Sequence, residues 1–485
     1  MTINAWKAAS VVALFCAAAA VSSPAQTFTT LASFDDKNGS YSQAPLVQGF
    51  DGNLYGTTDD GGLKQSGTVF KITTSGVLSR VHYFCSRANC PDGEVPESGL
   101  VPATNGDLYG VTSSGGTGCS DCGTVFQMSA RGTLFTLHSF SGADGLNPLG
   151  LMEASDANFY GTTSAGGSGS GGTIFKMTPF GVFTTLYNFQ DANYPVAGVI
   201  EGVDGNFYGT TITYADGGNG TVFKITPDGV YTTLESFTGS NGAWPVAPLI
   251  EDTNGNFYGT TAQGGPINAL CSTTGCGTVF EITSAGALTT LHFFGGADGL
   301  SPSGALIQGT DGNLYGTTLG GGPANASCTF GCGTIFQITP AGQFTTLHTF
   351  EGLDGQYPYI GLFQATDGNF YGTTYVGGSS PACQGGCGTV FRLSMGLSPF
   401  VTSVPAANYP GRYARILGTD LTGATAVTFN GLAATFTVAS PTEIDAIIPA
   451  HATTGTIEVT IPAGTLASNV PFRVLPLTGQ TKGKK

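Results

Sequence analysis

The sequence is short of charge, and above all of positive charge. Only 10% of its 485 residues are Asp, Glu, Lys or Arg, against roughly 25% in a typical globular protein. The 31 acidic residues outnumber the 16 Lys and Arg residues, so that the net charge is −15 at pH 7. A chain with so few cations neutralises phosphates poorly, which argues against nucleic acid and anionic lipid surfaces as partners.

The sequence also lacks long apolar runs after its first 25 residues. Residues 1–25 predict a secretory signal, in which Lys7 precedes an apolar stretch and Ser23, Pro24 and Ala25 form a small-residue cleavage site. Roughly 14 apolar residues are too few for the ~20 that span a bilayer, which favours cleavage over a membrane anchor. We therefore expect a secreted protein, extracellular or at the cell surface with the periplasm as an alternative, and no membrane span in the mature chain.

Apolar and aromatic residues are plentiful in spite of this lack of charge. They make up 40% and 11% of the chain, and there are 76 glycines. This composition supplies enough apolar surface for a core and excludes the disorder that arises from high charge and low hydrophobicity.

Ten of the eleven cysteines lie beyond the predicted signal, which contains Cys16. They form five close pairs, namely Cys85 and Cys90, Cys119 and Cys122, Cys271 and Cys276, Cys328 and Cys332, and Cys383 and Cys387. The spacing of Cys119 and Cys122 also occurs in zinc knuckles, but a zinc site needs four ligands. In an oxidising compartment we expect five small disulfide loops, no metal and no cofactor.

The dominant feature is a unit that is repeated seven times. A Tyr-Gly pair recurs at spacings of 48 to 57 residues, at Tyr55, Tyr109, Tyr160, Tyr208, Tyr258, Tyr315 and Tyr371. The unit is clearest at residues 311–318, Asp-Gly-Asn-Leu-Tyr-Gly-Thr-Thr, which are followed by similar segments at 333–339 and 343–350. These segments are short, β-branched and aromatic, and turn residues bound them, which predicts strands. With a short strand at Leu306 and Ile307, each unit has four strands, named A, B, C and D.

Seven four-stranded units predict an all-β fold, a seven-bladed β-propeller over residues 26–397. An open β-solenoid and a string of small domains are the alternatives. The seventh unit lacks strand D, and the missing Thr-Thr-Leu segment stands at residues 27–34. Pairing of this segment with strand C near Phe391 would close the ring and protect the sheet edges, so the ring is favoured.

The repeated frame resembles the Gloeo-Verruco (GloVer) tandem repeat of secreted bacterial proteins over residues 27–396. It is also similar to propeller repeats of two-component sensors, which have Trp where Tyr stands here. The resemblance implies an extracellular role. Members of the repeat family commonly end in a cell-surface anchor, whereas residues 477–485 show neither a sorting motif nor an apolar tail.

A second module is expected at residues 398–476, followed by a flexible tail at 477–485. Six alternating segments predict a small β-sandwich, at residues 413–417, 426–429, 435–438, 444–448, 456–461 and 472–474. Pro410-Gly411, the run 417–421, the run 427–431 and residues 448–450 resemble the immunoglobulin-like IPT/TIG family. That resemblance implies a spacer or docking module, and the scarcity of basic residues speaks against a DNA-binding role.

The strand directions place the B–C loops and the D–A connections at one end of the ring, which we call the loop face. B–C loops differ in length, and four cysteine pairs lie in them, with the fifth in a D–A connection. Variable loops on a rigid scaffold are typical of a binding surface. A variable residue precedes a Pro in each D–A connection, and Tyr194, Trp244 and Tyr357 are our candidates there for contacts with a glycan or protein. Packing between blades is the alternative.

Each D–A connection also carries an Asp or Asn, namely Asn38, Asp92, Asp144, Asn193, Asn241, Asp298 and Asp354. A ring of cation ligands is one interpretation, and Asx turns that satisfy their own backbone are the favoured one. His82, His138, His292 and His348 stand at one equivalent position of strand D, which indicates a structural role. We identify no catalytic residue, because nucleophile elbows, phosphate loops and zinc-protease motifs are missing.

Three functions remain after these exclusions. The first is a secreted, non-enzymatic protein that binds a glycan or a protein on the loop face. The second is a glycan-active enzyme, a lyase or a glycosidase, with its site in the mouth of the ring. The third is a purely structural cell-surface protein. A pair of carboxyls in the mouth would favour the enzyme, and exposed aromatic residues would favour the binding protein.

Overall fold

The computed structural model describes residues 26–190, 193–213, 218–271 and 273–476. The predicted signal and the predicted tail lie outside these ranges. Within them every regular element is a β-strand, which confirms the all-β class. The same ranges contain no helix with the length and apolar character needed to cross a membrane.

Sheets 1 to 4 are antiparallel and follow one another along the chain, each with its strands in the order A, B, C, D. In sheet 4, strand A is split into two pieces, which both pair with strand B. The strands are β2 (Val47–Gln48), β3 (Leu54–Thr58), β4 (Thr68–Ile72) and β5 (Leu78–Tyr83) in sheet 1, β6 (Val101–Pro102), β7 (Leu108–Thr112), β8 (Thr124–Met128) and β9 (Leu134–Ser139) in sheet 2, β10 (Leu146–Glu153), β11 (Phe159–Ala165), β12 (Ser170–Met177) and β13 (Phe183–Gln190) in sheet 3, and β14 (Asn193–Pro195), β15 (Ile200–Glu201), β16 (Phe207–Thr213), β17 (Thr221–Ile225) and β18 (Tyr231–Ser236) in sheet 4.

Sheets 5 to 7 repeat this arrangement, but strand D of sheet 7 comes from the start of the described chain. The strands are β19 (Ile250–Glu251), β20 (Asn256–Thr261), β21 (Thr278–Thr283) and β22 (Leu288–Phe293) in sheet 5, β23 (Ile307–Gln308), β24 (Leu314–Thr318), β25 (Thr334–Ile338) and β26 (Phe344–Thr349) in sheet 6, and β27 (Phe363–Gln364), β28 (Phe370–Thr373), β29 (Thr389–Ser394) and β1 (Thr27–Ser33) in sheet 7.

The pairing predicted between the first strand and strand C of the seventh unit is present. Strand β1 runs antiparallel to β29, from Thr27 opposite Ser394 to Ser33 opposite Thr389. A hydrophobic cluster that includes Phe34, Phe70 and Val390 then joins sheet 7 to sheet 1. Similar clusters join each of the other sheets to the next. The described sheets therefore form a closed ring.

The repeated motif is explained by contacts within each unit, as sheet 6 illustrates. Asp311 accepts hydrogen bonds from the backbone N of Asn313 (3.2 Å) and from the hydroxyl of Tyr315 (2.7 Å), and so braces the turn between strands A and B. A Cβ on Gly316 would lie 2.5 Å from Cζ of Phe336, so only glycine lets this ring cross strand B. The motif thus specifies a turn and a packing layer.

Two further positions of the motif link sheets to one another. The hydroxyl of Thr317 donates to the carbonyl of Ile360 in the next unit (3.1 Å). At the end of strand A in five of the sheets a Glu or Gln accepts a backbone N–H from the turn of the preceding sheet, as Glu153 does from Thr104 (3.1 Å) and Gln48 from Thr366 (3.0 Å). Both Glu and Gln occur at this position because either supplies the required oxygen.

The C-terminal strands form two four-stranded sheets, in the orders β30-β32-β36-β35 and β34-β33-β37-β38, and a parallel pair of β31 and β39. Their bounds are β30 (Thr402–Val404), β31 (Ala407–Asn408), β32 (Tyr413–Leu417), β33 (Ala426–Phe429), β34 (Leu432–Ala433), β35 (Thr435–Ser440), β36 (Glu443–Ile447), β37 (Ile457–Ile461), β38 (Gly464–Ala467) and β39 (Arg473–Val474). All six predicted strands are present, and four short ones were not predicted. Ile416, Val427, Ile444 and Val459 lie in the core between the sheets.

The C-terminal unit packs on the end of the ring that carries the A–B turns, opposite the loop face. The guanidinium of Arg415 lies 3.7 Å from the centre of the Phe50 ring. Arg473 donates to the carbonyl of Gly202 (3.0 Å). Between the two units lies a cavity of about 660 Å³, to which the A strands of several sheets contribute. The A strands therefore line the axis of the ring.

We predict that Phe34→Ala lowers the free energy of unfolding by about 3–5 kcal/mol, since it opens a cavity at the closure of the ring. Phe34 is fully buried, and its ring centre lies 5.0 Å from that of Phe70. Urea unfolding measures the change. Phe180→Ala is the control, because Phe180 is 93% exposed and its loss is expected to change stability by less than about 0.5 kcal/mol. Equal effects of the two substitutions would contradict the closure.

Candidate functional site

Disulfides brace the loop face. The five predicted pairs, Cys85–Cys90, Cys119–Cys122, Cys271–Cys276, Cys328–Cys332 and Cys383–Cys387, are all bonded. Four of the bridges lie in B–C loops and one lies in a D–A connection. Disulfides of this number are typical of proteins that mature in an oxidising compartment and suggest an extracellular location.

Several Asp and Asn residues of the D–A connections hydrogen-bond to their own backbone, whereas Oδ1 of Asp92 is buried without a partner. Oδ1 of Asp144 accepts from the backbone N of Ser141 (2.9 Å), and Oδ1 of Asn241 accepts from that of Thr238 (2.8 Å). Burial acts to raise the pKa of Asp144, but hydrogen bonds from Ser141 and His138 outweigh it and lower the pKa. These contacts support the Asx-turn interpretation over the ring of cation ligands.

The four histidines of strand D also have structural partners. Nε2 of His138 lies 2.8 Å from Oδ2 of Asp144, and the imidazole stacks on Phe183 of the next sheet at 4.1 Å. His348 stacks in the same way on Phe28 at 3.7 Å, across the closure of the ring. The rings of His138, His292 and His348 are thus held between an Asx turn and a neighbouring strand, and His82 contacts Asp92 (3.3 Å), in agreement with the structural role predicted for this position.

Tyr194, Trp244 and Tyr357 occupy the predicted position in the D–A connections of the loop face. Trp244 and Tyr357 have left-handed backbones, with φ of 58° and 56°. Tyr357 packs against the hydrophobic cluster between sheets 6 and 7. In the connection that leads into sheet 1 the residue before the proline is Ala44. The prediction that Ala44 is the equivalent of Tyr194, Trp244 and Tyr357 is wrong. Tyr41 occupies the position there, with φ of 59° and a backbone N–H that donates to Cys387, because Ser42 replaces the proline.

A group of side chains that the sequence analysis did not select meets at the axial end of the loop face. We call it the mouth cluster, and it consists of Tyr41, Gln43, Asp59, Glu97, Tyr359 and Tyr375. Its members come from two variable positions per unit and from Tyr41. One position directly follows the Tyr-Gly-Thr-Thr segment, and the other lies two residues beyond the D–A position described above.

Asp59 is the most perturbed group of the mouth cluster. It is only 7% exposed, Oδ2 accepts a hydrogen bond from Nε2 of Gln43, and Oδ1 has no hydrogen-bond partner. Burial, with further contributions from Glu97 and Asp60, raises its pKa to about 8, although the bond from Gln43 acts in the opposite direction. Asp59 therefore holds a proton at neutral pH.

Glu97 and two tyrosines share the electrostatic environment of Asp59. Atoms of Glu97 reach the surface, but the walls of the mouth remove water around its carboxyl and raise its pKa, and Ser113 partly offsets the rise. Burial raises the pKa of Tyr359 and that of Tyr375, and the charge of Asp59 adds to both. The ring centre of Tyr375 lies 5.1 Å from that of Tyr41 and 6.3 Å from that of Tyr359.

The tyrosine, carboxyl and amide side chains at these two positions all lie on one side of the mouth. Sheets 7, 1 and 2 have Tyr375, Asp59 and Ser113 after strand B, and Tyr359, Gln43 and Glu97 in the D–A connection. Six of the eight equivalent residues in the other four sheets are aliphatic, namely Ile212, Ala262 and Leu319 after strand B, and Leu149, Val196 and Val246 in the D–A connection, and the other two are Ser164 and Ser303. A residue that serves the ring itself would be alike in all units. This asymmetry marks the mouth cluster as a site.

A family model described as the Gloeobacter/Verrucomicrobia repeat matches residues 19–122, 103–269 and 268–433. These matches cover most of the chain. The chain belongs to the Gloeobacter/Verrucomicrobia repeat family. The mouth cluster spans the first and the third match, and so it is built from separate repeats of the family unit. No curated protein matches the chain.

Three solved structures show a distant likeness to this member of the repeat family. A fungal alcohol oxidase of the AA5 family in complex with copper is 11% identical, over 89% of this chain and 99% of the other, at a TM-score of 0.48. The extracellular domain of a putative one-component system from B. thetaiotaomicron is 11% identical, over 93% of this chain and 58% of the other, at a TM-score of 0.48. A gluconolactonase from Xanthomonas campestris is 14% identical, over 61% of this chain and 86% of the other, at a TM-score of 0.38. Similarity at this level transfers no activity.

Among the described residues of this repeat protein, one group has the composition of a metal site, namely Cys85, Cys90 and Glu94. Both cysteines belong to a disulfide and offer no thiolate. The group therefore does not fit a metal ion.

A comparison of equivalent positions along the repeat would have revealed part of the mouth cluster. The residue after Tyr-Gly-Thr-Thr varies from Asp59 through Ile212 to Tyr375, and this variation is visible in the sequence. The depth of Asp59 and its contact with Gln43 have no such signal, since they depend on how neighbouring sheets pack.

Asp59→Asn is predicted to stabilise the protein, increasingly so at high pH. The folded pKa of about 8 exceeds the value of roughly 4 in the unfolded chain. Stability from the bound proton is therefore complete below pH 4 and is lost as the pH rises through 8. We expect the variant to gain at least about 1 kcal/mol at pH 9 and much less at pH 5. Chemical denaturation at both pH values measures the gain.

Asp121→Asn serves as the control for this prediction. Asp121 is an exposed residue of a B–C loop on the same face. A similar gain in both variants, or a gain in Asp59→Asn that does not depend on pH, would contradict the buried proton.

Proposed function

We propose that the seven sheets form a seven-bladed β-propeller over residues 26–397 and that residues 398–476 form an immunoglobulin-like sandwich of the IPT/TIG type. The order of strands in each sheet, the pairing of β1 with β29 and the two C-terminal sheets support this proposal. We further propose that residues 1–25 direct export and that the protein acts outside the cell, in line with its five disulfides.

The function that we infer is non-enzymatic binding of a glycan at the mouth cluster, with the sandwich as a spacer or docking module. The observation that carries the inference is the gathering of three tyrosines, a buried carboxyl and an open carboxyl on one side of the mouth. Aromatic rings offer flat apolar faces to sugar rings, and carboxyl and amide groups exchange hydrogen bonds with hydroxyls.

The site is accessible on the loop face, since the C-terminal unit packs on the opposite end of the ring. Tyr359 is 38% exposed, which is unusual for a large aromatic side chain at the centre of a packed ring. Tyr194, Trp244 and Tyr357 lie on the same face and would extend the contact surface for a longer ligand. This combination of a deep polar group and an open aromatic rim suits a chain of sugars better than a small molecule.

A glycan-active enzyme, a lyase or a glycosidase, is the second candidate. It is favoured by the presence of two carboxyl groups, those of Asp59 and Glu97, in the mouth, because glycosidic-bond hydrolysis uses a pair of carboxyl groups. A glycosidase would be inactivated by Asp59→Asn and by Glu97→Gln alike. Our proposal expects bound oligosaccharides to be recovered intact, which chromatography of the ligand after incubation measures.

The binding function is tested with a glycan array and a pull-down on surface polymers. We expect Tyr359→Ala to weaken binding about tenfold, because a stacked ring contributes roughly 1 kcal/mol or more. Two further variants complete the series. Trp244→Ala tests the outer surface, and Phe180→Ala, on the opposite end of the ring, is the control.

Each outcome of this series has a distinct meaning. Loss of binding in Tyr359→Ala alone supports the mouth as the binding site. Equal binding by Tyr359→Ala and by Phe180→Ala would contradict it. If no glycan or surface polymer binds the unaltered protein, the third candidate, a structural surface protein, replaces the proposal.

A further inference from the structure

The charges that act on the mouth cluster are all of one sign. Glu97 and Asp60 are the charged groups that act on the pKa of Asp59, and both are acidic. Asp59 and Glu97 act in turn on Tyr359. The negative charges of Glu97 and Asp60 oppose ionisation of Asp59, and a ligand that brings a positive charge offsets this repulsion.

Asp59 also has an unused hydrogen-bonding position. Its Oδ1 is buried without a partner, while Oδ2 is bonded to Gln43. A buried polar atom without a partner is unfavourable, so such groups are usually completed by a ligand or water. A sugar hydroxyl could bond to Oδ1 without bringing a charge, whereas an ammonium group supplies three donors and a positive charge that favours the carboxylate form of Asp59.

The tyrosines provide the remaining feature of a cation site. The ring of Tyr375 stands between those of Tyr41 and Tyr359, at 5.1 and 6.3 Å. Burial and the nearby carboxyls raise the pKa of Tyr359 and of Tyr375, so that both remain neutral phenols whose faces attract cations. Aromatic faces next to carboxyls are the arrangement that recognises organic ammonium groups.

We propose that the mouth cluster binds the primary ammonium group of an amino sugar, so that the glycan of this protein is a polymer with unacetylated amino groups. This inference rests on the proposed glycan-binding function and specifies its ligand. The ammonium group pairs with Oδ1 of Asp59 and faces the tyrosine rings, and the sugar ring continues towards the open rim at Tyr359.

Binding of such a group displaces a proton. In the free protein Asp59 is protonated at neutral pH, and an ammonium group beside Oδ1 favours its carboxylate form. Complex formation at pH 6 is therefore expected to release close to one proton per ligand. The titratable groups around Asp59 that enter this balance are Glu97, Asp60, Tyr41, Tyr359 and Tyr375.

The test compares three β-1,4-linked hexamers, of glucosamine, of N-acetylglucosamine and of glucose, by calorimetry on the full protein at pH 6 and low salt. Two buffers with different ionisation enthalpies report the proton release. We expect the glucosamine hexamer to bind at least tenfold more tightly than the other two, with proton release. Asp59→Asn should abolish both the preference and the proton release, while the control Asp121→Asn retains both. Hexalysine is included as a competitor.

Each result supports or overturns the inference. Equal binding of the three hexamers would overturn the ammonium assignment and leave the proposed glycan-binding function in place. Binding of no hexamer and of no array glycan would overturn both. Tighter binding of hexalysine than of the glucosamine hexamer would assign the mouth to a protein ligand instead. A preference that survives in Asp59→Asn would place the ammonium group elsewhere and contradict the proposed site.

Discussion

The architecture depends on the antiparallel pairing of β1 with β29. This pairing unites the two ends of the repeated region, so that the sheets surround one axis and β29 is not left as an unpaired edge. Phe34 continues the same contact into the hydrophobic layer between these sheets. The energy of closure lies in backbone hydrogen bonds and a buried aromatic residue, and it is local to one seam. Every other junction is made by a chain that is already continuous.

Closure is also what creates the candidate site. Tyr41, Gln43 and Asp59 belong to the first unit, whereas Tyr359 and Tyr375 belong to the last. They share one side of the mouth only because the ring places the last sheet beside the first. In an open array the same residues would lie at opposite ends of the molecule. The seam is therefore both the mechanical closure of the ring and the place where its chemistry departs from the repeat.

The repeat separates structural from functional residues with unusual clarity. The Asp–His contacts on the outer strands, the Tyr–Asp turns and the Thr contacts recur around the ring, which agrees with a role in folding. Asp59 and Glu97 do not recur, and the buried charge of Asp59 opposes stability as the pH rises. A residue whose side chain lowers the stability of the folded protein is typical of a binding or catalytic site. This conflict is what distinguishes the mouth from the rest of the loop face.

The sequence by itself determined the all-β class, the seven repeated units, the five cysteine pairs and the position of the missing strand at the start of the chain. These features depend on local patterns, namely strand periodicity, turn residues and short spacings, which the residues display directly. It did not determine that Tyr41 rather than Ala44 occupies the D–A position of sheet 1. Nor did it determine the four short strands of the C-terminal unit or the mouth cluster. Those depend on distant parts of the chain being brought together. Only the closed ring decides that Asp59 is buried beside Gln43 and near the tyrosines of the last sheet, because burial and electrostatic coupling are properties of packing.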